Sequence, residues 1–203
     1  VQIVQVARPV DVPLVNIQMN EEQLLNVSED KAREYLALVN QLSKIDKRSD
    51  AQDNFLSFVK TVWPNFIEGA HHKQYARKLQ AIADKKLTRL IVNMPPRHTK
   101  SEFASNLFPA WLIGRTPTLK IIQTTHTGEL AVNFGRKMRN TIDSPEYKSV
   151  FPSTRIKADV KAAGRWETEQ GGEFFASGVG GAITGRGADL LIIDDPHSEQ
   201  DAL

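Results

Sequence analysis

The chain contains no cysteine. That absence excludes a disulfide scaffold, a cysteine-ligated zinc or iron centre and a cysteine nucleophile. Long hydrophobic runs are also missing, since no stretch approaches the roughly 20 consecutive apolar residues that a membrane helix needs. The net charge is only +2, so the total charge by itself makes no case for a nucleic acid or a membrane surface as partner.

The chain does have enough apolar material for a folded domain, with 203 residues of which 40% are hydrophobic. Its charge is unevenly distributed, because residues 72–140 are strongly basic and the regions on either side are acidic overall. The basic side chains of the 72–89 region either follow nucleic-acid phosphates or form solvated helix faces, and we favour the second interpretation. They are Lys73, Arg77, Lys78, Lys85, Lys86 and Arg89.

Apolar spacing and breakers predict the order of elements in the first half. Residues 1–20 suit an extended arm or edge strand, and residues 21–44 a helix or a broken pair of helices. A polar loop over 45–54 separates this N-terminal segment, 1–54, from a main domain over 55–203. In the main domain we predict a short helix that Pro64 stops, an amphipathic helix over 72–83 and a buried strand over 87–94.

Strands and helices continue to alternate beyond residue 101. EFASNLFPAWLIG and GELAVNFGRKMRNTI have helical spacing, and TLKIIQTTH and ADLLIIDDP are apolar, β-rich runs. The glycine-punctuated segment GRWETEQGGEFFASGVGGAITGRG predicts antiparallel strands joined by turns. The alternation predicts an α/β fold with a mainly parallel sheet flanked by helices.

Residues 94–101, MPPRHTKS, lie between a predicted strand and a predicted helix. A nucleotide-binding loop needs backbone N–H groups around a phosphate, a lysine for the β/γ oxygens and a neighbouring hydroxyl for Mg²⁺. Lys100 and Ser101 supply the last two groups. Met94 and Thr99 stand where the general GxxxxGK[ST] pattern has glycine, so the pattern alone equally allows an ordinary strand-to-helix connection.

A second run, LLIIDD, predicts a hydrophobic strand that ends in Asp194 and Asp195. Beside a phosphate-loop strand, Asp194 would hold Mg²⁺ through its water shell and Asp195 would orient or deprotonate the attacking water. A solvated Asp-Asp-Pro turn is the alternative for this run alone. The two motifs together favour a nucleotide-hydrolysing site.

Several segments, in order, resemble the ATPase domain of the large terminase subunit of tailed double-stranded DNA phages. They are LIVNMPPRHTKSEFASNLFPAWLIGRTP, IIQTTHTGELAVNFGRKMRNTI, YKSVFP and GRWETEQGGEFFASGVGGAITGRGADLLIIDDPHSEQDA. This resemblance covers residues 63–203 and implies a P-loop NTPase of the additional-strand type. It also implies that the ATPase domain is truncated shortly after the aspartate strand and that a C-terminal nuclease domain is absent from this chain.

The resemblance implies a role for each matching residue. Lys100 and Ser101 match the phosphate-loop lysine and hydroxyl, Asp194 the metal ligand and Asp195 the catalytic acid. Arg97 would contact the γ-phosphate and sense ATP, or pair with Glu102 as an ordinary surface arginine. The remaining loop residues that would surround ATP are Pro96, His98 and Thr99.

Weaker candidates lie outside the two motifs. Gln74 would read adenine with Tyr75 or Trp63 nearby, or would be a solvent-facing amide. Arg186 and Arg139 are candidates for a sensor or an arginine finger that reaches a neighbouring subunit. The histidines have no metal-ligand spacing with acidic partners, so we predict surface or hydrogen-bonded structural roles for them. They are His71, His72, His98, His126 and His197.

The implied function is hydrolysis of ATP, with Mg²⁺, to drive double-stranded DNA into the procapsid. The implied partners are DNA, the portal protein, the small terminase subunit and further copies of the chain in a ring, without a membrane. The implied location is the host cytoplasm, with transient docking on the procapsid. A helicase-like DNA translocase and a non-catalytic nucleotide-binding or assembly module are the alternatives.

Overall fold

Helices and strands alternate along residues 29–198, which are the residues that the computed structural model describes. The predictions for residues 1–28 therefore lie outside the described residues. The elements in chain order are α1 (Glu29–Asp53), α2 (Phe55–Val62), α3 (Ala70–Ala83), α4 (Lys100–Glu102), a π-helical turn (Phe103–Leu107), α5 (Phe108–Arg115), β1 (Lys120–Thr125), α6 (Gly128–Asp143), α7 (Pro145–Val150), β2 (Ile156–Ala162), β3 (Arg165–Thr168), β4 (Glu173–Gly178) and β5 (Leu190–Asp194).

The five strands form one mixed sheet in the order β2-β3-β4-β1-β5. β1 pairs in parallel with β4 and with β5, whereas β2–β3 and β3–β4 are antiparallel. The predicted α/β class is confirmed, and so are the antiparallel strands of the glycine-punctuated segment. The prediction of a mainly parallel sheet is wrong, because the β2–β3 hairpin adds two antiparallel pairings. The sequence did not indicate β2, because its segment IKADVKA is too polar to be recognised from hydrophobic spacing.

The chain divides into two compact units, Val1–Ser43 and Lys44–Leu203. The sequence places the boundary after Asn54 instead. The predicted polar loop over 45–54 is wrong, because α1 continues to Asp53. This stretch has no glycine or proline, its Ala51 is fully buried, and Arg48 and Gln52 both donate hydrogen bonds to the Val150 carbonyl, at 3.2 and 2.7 Å. Tertiary contacts therefore stabilise a helix in a segment that composition alone assigns to a loop.

The predicted strand over 87–94 is absent from the sheet. Its side chains still alternate, since Leu90, Val92 and Met94 pack against the core while Ile91 is 89% exposed. A strand needs a neighbouring backbone to complete its hydrogen-bond ladder, and packing of alternate side chains does not supply one. The segment is therefore irregular, and it delivers the chain to the 94–101 loop.

The helix that follows the 94–101 loop runs from Lys100 to Arg115 with a π-helical turn in its middle. Pro109 accounts for the irregularity, because it has no N–H to donate to the carbonyl of Ser105 one turn earlier. Such turns are frequent at functional sites, and this one begins three residues after Lys100.

One core unites the helices of the second unit with the sheet. Aromatic residues dominate it, and the largest fully buried ones include Trp111, Trp166, Tyr147, Phe55 and Phe58. Phe55 contacts Phe103 and Phe108 edge to face, at centroid distances of 5.6 and 5.4 Å, so the core reaches the helix that begins at Lys100. Among the described residues, no helix combines the length and the apolar character that crossing a membrane requires.

Candidate functional site

The parallel strands bring the two sequence motifs together. Thr125 at the end of β1 is in register with Asp194 at the end of β5, so Asp194 lies at the carboxyl edge of the parallel strands. Lys100 Nζ lies 3.7 Å from Asp194 Oδ1 and forms an ion pair and hydrogen bond with Asp195 Oδ1. The lysine of the first motif therefore contacts both carboxylates of the second, across 95 residues of sequence.

The two aspartates occupy different environments although they are adjacent. The Asp194 side chain is 7% exposed and its Oδ2 accepts a hydrogen bond from Ser105 Oγ at 2.8 Å. The Asp195 side chain is 66% exposed. Asp194 is thus a fixed, buried carboxylate, whereas Asp195 pairs with Lys100 but remains accessible to solvent.

The backbone of the 94–101 loop is held in an uncommon conformation. Arg97 and Thr99 both have φ of 63°, in the left-handed region that non-glycine residues rarely occupy. Asp195 also has a positive φ, of 45°. Of the four non-glycine residues with positive φ in the described part of the chain, these three lie in the loop or at the carboxylate that Lys100 contacts. Such strain clusters at functional sites, because only a strongly constraining environment maintains it.

Helix α3 contributes two side chains that contact the end of the loop. His72 Nε2 lies 2.8 Å from Thr99 Oγ1, and the Tyr75 hydroxyl donates to the Lys100 carbonyl at 3.4 Å. Tyr75 also stacks on Phe103, with ring centroids 5.7 Å apart. Burial, and secondarily the charge of Asp194, raises the pKa of Tyr75, so its hydroxyl stays protonated as a donor.

A polar groove of about 690 Å³ adjoins the loop on the side of α6. Arg97 and Thr99 line it together with Glu102, which forms an ion pair with Lys137 and accepts a hydrogen bond from Asn106 at 2.7 Å. Glu102 is thus paired with Lys137 of α6, and no ion pair between Glu102 and Arg97 occurs among the described residues. Arg97 is exposed and available to a ligand at the mouth of this groove.

The remaining residues of the 94–101 loop that were predicted to surround ATP differ in exposure. Ser101 is half-buried in the first turn of the helix that begins at Lys100, and Pro96 and His98 are exposed. His98 Nδ1 donates to the Pro96 carbonyl at 2.9 Å, which closes the loop on itself.

The structure does not bring Gln74, Arg186 or Arg139 to Lys100. Gln74 is exposed on α3. Arg186 forms an ion pair with Glu173, with 2.9 Å between the two side chains. Glu173 is the first residue of β4, so this ion pair lies at the amino edge of the parallel strands, opposite to the carboxyl edge where Asp194 lies. Arg139 lies half-buried on α6. A role of either arginine toward a neighbouring subunit stays a prediction.

Two contacts of this centre have no counterpart in the motifs. Ser105 bonds Asp194 across 89 residues, and His72 meets Thr99 across 27. The sequence contains one usable signal, since Ser105 follows Ser101 by four residues and lies on the same side of a helix. No local pattern points to His72, because its partner lies in another element.

No group of three or more histidine or acidic residues able to hold a metal ion occurs between residues 29 and 198. This is compatible with Mg²⁺, which commonly takes one or two protein oxygens and completes its shell with waters and phosphates. Asp194 and Ser101 offer such hard oxygen donors.

Comparison of the chain with protein-family profiles, curated proteins and solved structures found no match.

Proposed function

We propose that this chain is the ATP-hydrolysing portion of a DNA-packaging motor, a large terminase subunit of the kind found in tailed double-stranded DNA phages. The observation that carries the proposal is the contact of Lys100 with both Asp194 and Asp195 at one edge of the parallel strands. A phosphate-binding lysine and a pair of carboxylates are the groups that nucleotide hydrolysis requires side by side. The corresponding fold is a P-loop NTPase of the additional-strand type.

In this proposal each residue of the centre has a distinct task. Lys100 exchanges its carboxylate partners for the β- and γ-phosphate oxygens of ATP, and Arg97 reaches the γ-phosphate from the mouth of the groove. Asp194, fixed by Ser105, and the Ser101 hydroxyl would hold Mg²⁺, which would neutralise charge on the phosphate oxygens. Asp195 is exposed and accepts a proton from, or orients, the attacking water.

The charge of the centre explains why the metal is needed. Lys100 carries one positive charge and the two aspartates carry two negative charges within ion-pair distance of it. A bare polyphosphate would meet two carboxylates beside Lys100 and be repelled by them, whereas its magnesium complex would be attracted to them. We therefore expect ATP to bind only as Mg·ATP.

Binding and turnover test the proposal separately. Lys100→Ala should abolish Mg·ATP binding in isothermal titration calorimetry, since it removes the phosphate-binding cation. Lys86→Ala is the matched control, because Lys86 is a surface lysine paired with Asp84 on another part of the unit. Binding by Lys100→Ala as tight as that of the unmodified protein would refute the site.

Turnover should depend on Asp195 and respond to DNA. Asp195→Asn should retain Mg·ATP binding and lose at least about 100-fold in the rate of phosphate release, which is the usual effect of removing a general base. Double-stranded DNA should raise the rate of the unmodified protein in the same assay. Undiminished hydrolysis by Asp195→Asn would remove the assigned role, and an absence of any effect of DNA would count against a motor.

A further inference from the structure

The 94–101 loop contains no glycine, and two of its residues nevertheless occupy the left-handed region. Thr99 is the more unfavourable of the two, since its branched Cβ crowds the backbone at its φ of 63° and ψ of 12°. Lys100, the residue that contacts both aspartates, follows it directly. Whatever fixes Thr99 also fixes the direction in which the chain enters the helix at Lys100.

One chain of hydrogen bonds runs from Gly69 through His72 and Thr99 to the His98 carbonyl, and the direction of each bond determines that of the next. The backbone N–H of Gly69 donates to His72 Nδ1 at 2.9 Å, so this nitrogen carries no proton. The proton of the neutral ring is therefore on Nε2, which donates to Thr99 Oγ1 at 2.8 Å. The Thr99 hydroxyl then donates to the His98 carbonyl at 2.6 Å. Every donor in this chain has an acceptor.

The imidazole is also held by packing. His72 is 7% exposed, and its ring lies 4.8 Å from the Phe66 ring and 5.4 Å from the Phe103 ring. Phe103 belongs to the helix that begins at Lys100, so its ring contact connects His72 to that helix. Tyr75, three residues further along α3, stacks on the same Phe103 ring.

We propose that His72 is a positioning residue that holds Thr99 in its left-handed conformation and thereby directs Lys100 toward a bound nucleotide phosphate. The nucleotide part of this inference rests on the proposed function, whereas the fixation of the loop does not. Glycine is the usual residue at positive φ because it has no Cβ to crowd the backbone. In this chain a hydrogen bond from a buried imidazole of α3 stabilises a threonine in that conformation instead. His72 itself touches no reacting atom and acts through Thr99.

The first experiment measures the loop without nucleotide. His72→Phe keeps an aromatic ring between Phe66 and Phe103 but cannot donate to Thr99. Hydrogen exchange of the 97–103 backbone amides, which include the Phe103 N–H that donates to the Thr99 carbonyl at 3.0 Å, is followed by mass spectrometry on the full chain. Exchange of the Phe103 amide should become about tenfold faster, the effect of losing one net hydrogen bond. His71→Phe is the matched control, because the exposed His71 ring meets His72 and His98 only by ring contact. Exchange in His72→Phe as slow as in the control would overturn the proposal.

A double-mutant cycle separates positioning from a general packing role. Thr99→Val removes the hydroxyl and keeps the shape, so His72→Phe should add little further acceleration in that background. His72→Gln restores a side-chain donor and should recover part of the protection. Additive effects of His72→Phe and Thr99→Val would show that His72 does not act through Thr99 and would overturn the proposal. If His72→Phe does not fold, Thr99→Val alone breaks the same bond from the loop side and must give the same acceleration.

The second experiment links the loop to the nucleotide. His72→Phe should weaken Mg·ATP binding about tenfold in calorimetry, and His72→Gln should lie between it and the unmodified protein. Failure of the unmodified protein to bind Mg·ATP would refute the proposed function, while the exchange experiment would still decide the role of His72. Faster exchange with unchanged Mg·ATP affinity would overturn the claim that His72 directs Lys100.

Discussion

Two loops of this protein reach left-handed backbone conformations by different means. The 94–101 loop has no glycine and places Arg97 and Thr99 at positive φ. The 178–187 segment contains five glycines and places Gly180 and Gly185 there instead. Glycine occupies the left-handed region without steric cost, whereas a non-glycine residue there needs surrounding contacts that hold it. Those contacts connect the 94–101 loop to α3 and the core.

The comparison also separates two uses of glycine within the 178–187 segment. A Cβ at Gly178 would lie 2.5 Å from the backbone nitrogen of Gly128, whereas a Cβ at Gly180 would have nothing within 4 Å. Gly178 is thus required by close approach of two backbones, and Gly180 by its φ of 82°.

Gly178→Ala should have the largest effect. The new methyl group would displace the backbone between β4 and α6, and we expect the free energy of unfolding to fall by about 3 kcal/mol. Gly180→Ala is the control, with an expected loss of about 1 kcal/mol from the left-handed conformation alone. Urea unfolding of both variants measures the difference. Equal losses would contradict the distinction between close approach and backbone conformation.

Introducing a glycine into the 94–101 loop at Arg97 should relieve backbone strain there. Arg97→Gly should be more stable than Arg97→Ala by about 1 kcal/mol, because only glycine adopts a φ of 63° without steric cost. Both variants lose the same guanidinium, so the comparison isolates the backbone. The same urea titration measures it, and an alanine variant as stable as the glycine variant would exclude strain at this position.

The pH dependence of the free energy of unfolding should reveal the protonation of His72. Burial lowers the pKa of His72 below 6.5, with His71 and His98 adding to the shift and Glu68 opposing it. The unfolded chain therefore takes up a proton before the folded protein does, so stability is complete above pH 6.5 and falls as the pH drops through the lower folded pKa. A protonated ring would also present Nδ1–H to the Gly69 N–H. His72→Gln should lose this component, which unfolding at about pH 7.5 and pH 5 measures. An unchanged pH dependence would assign it to other groups.

Asp195→Asn should have the smallest effect on stability. The Lys100–Asp195 ion pair is largely exposed on the aspartate side, and such pairs contribute under about 1 kcal/mol. We expect the melting temperature to change little while phosphate release is lost. Asp194→Asn is the contrasting variant, since it perturbs a buried carboxylate bonded to Ser105 and should cost more stability. A large loss in Asp195→Asn would indicate that Asp195 has a structural role.

Strong local patterns in the sequence predicted most of the elements that enclose the site. The short apolar, β-rich runs became β1 and β5, and the segments with helical apolar spacing became α3 and α6. Two short motifs, MPPRHTKS and LLIIDD, likewise identified the candidate site residues Lys100, Ser101, Asp194 and Asp195. The sequence alone therefore determined the α/β class and the candidate centre.

Only the tertiary structure decided the remainder, because each part of it depends on partners distant in sequence. Residues 87–94 lack the neighbouring strand that their alternation predicts, and residues 45–53 are helical because Ala51, Arg48 and Gln52 find partners in the second unit. Thr99 tolerates its conformation because His72 lies within hydrogen-bond distance. Periodicity and motifs describe a residue's neighbours along the chain, whereas hydrogen-bond ladders, buried contacts and a held loop depend on which elements meet in space.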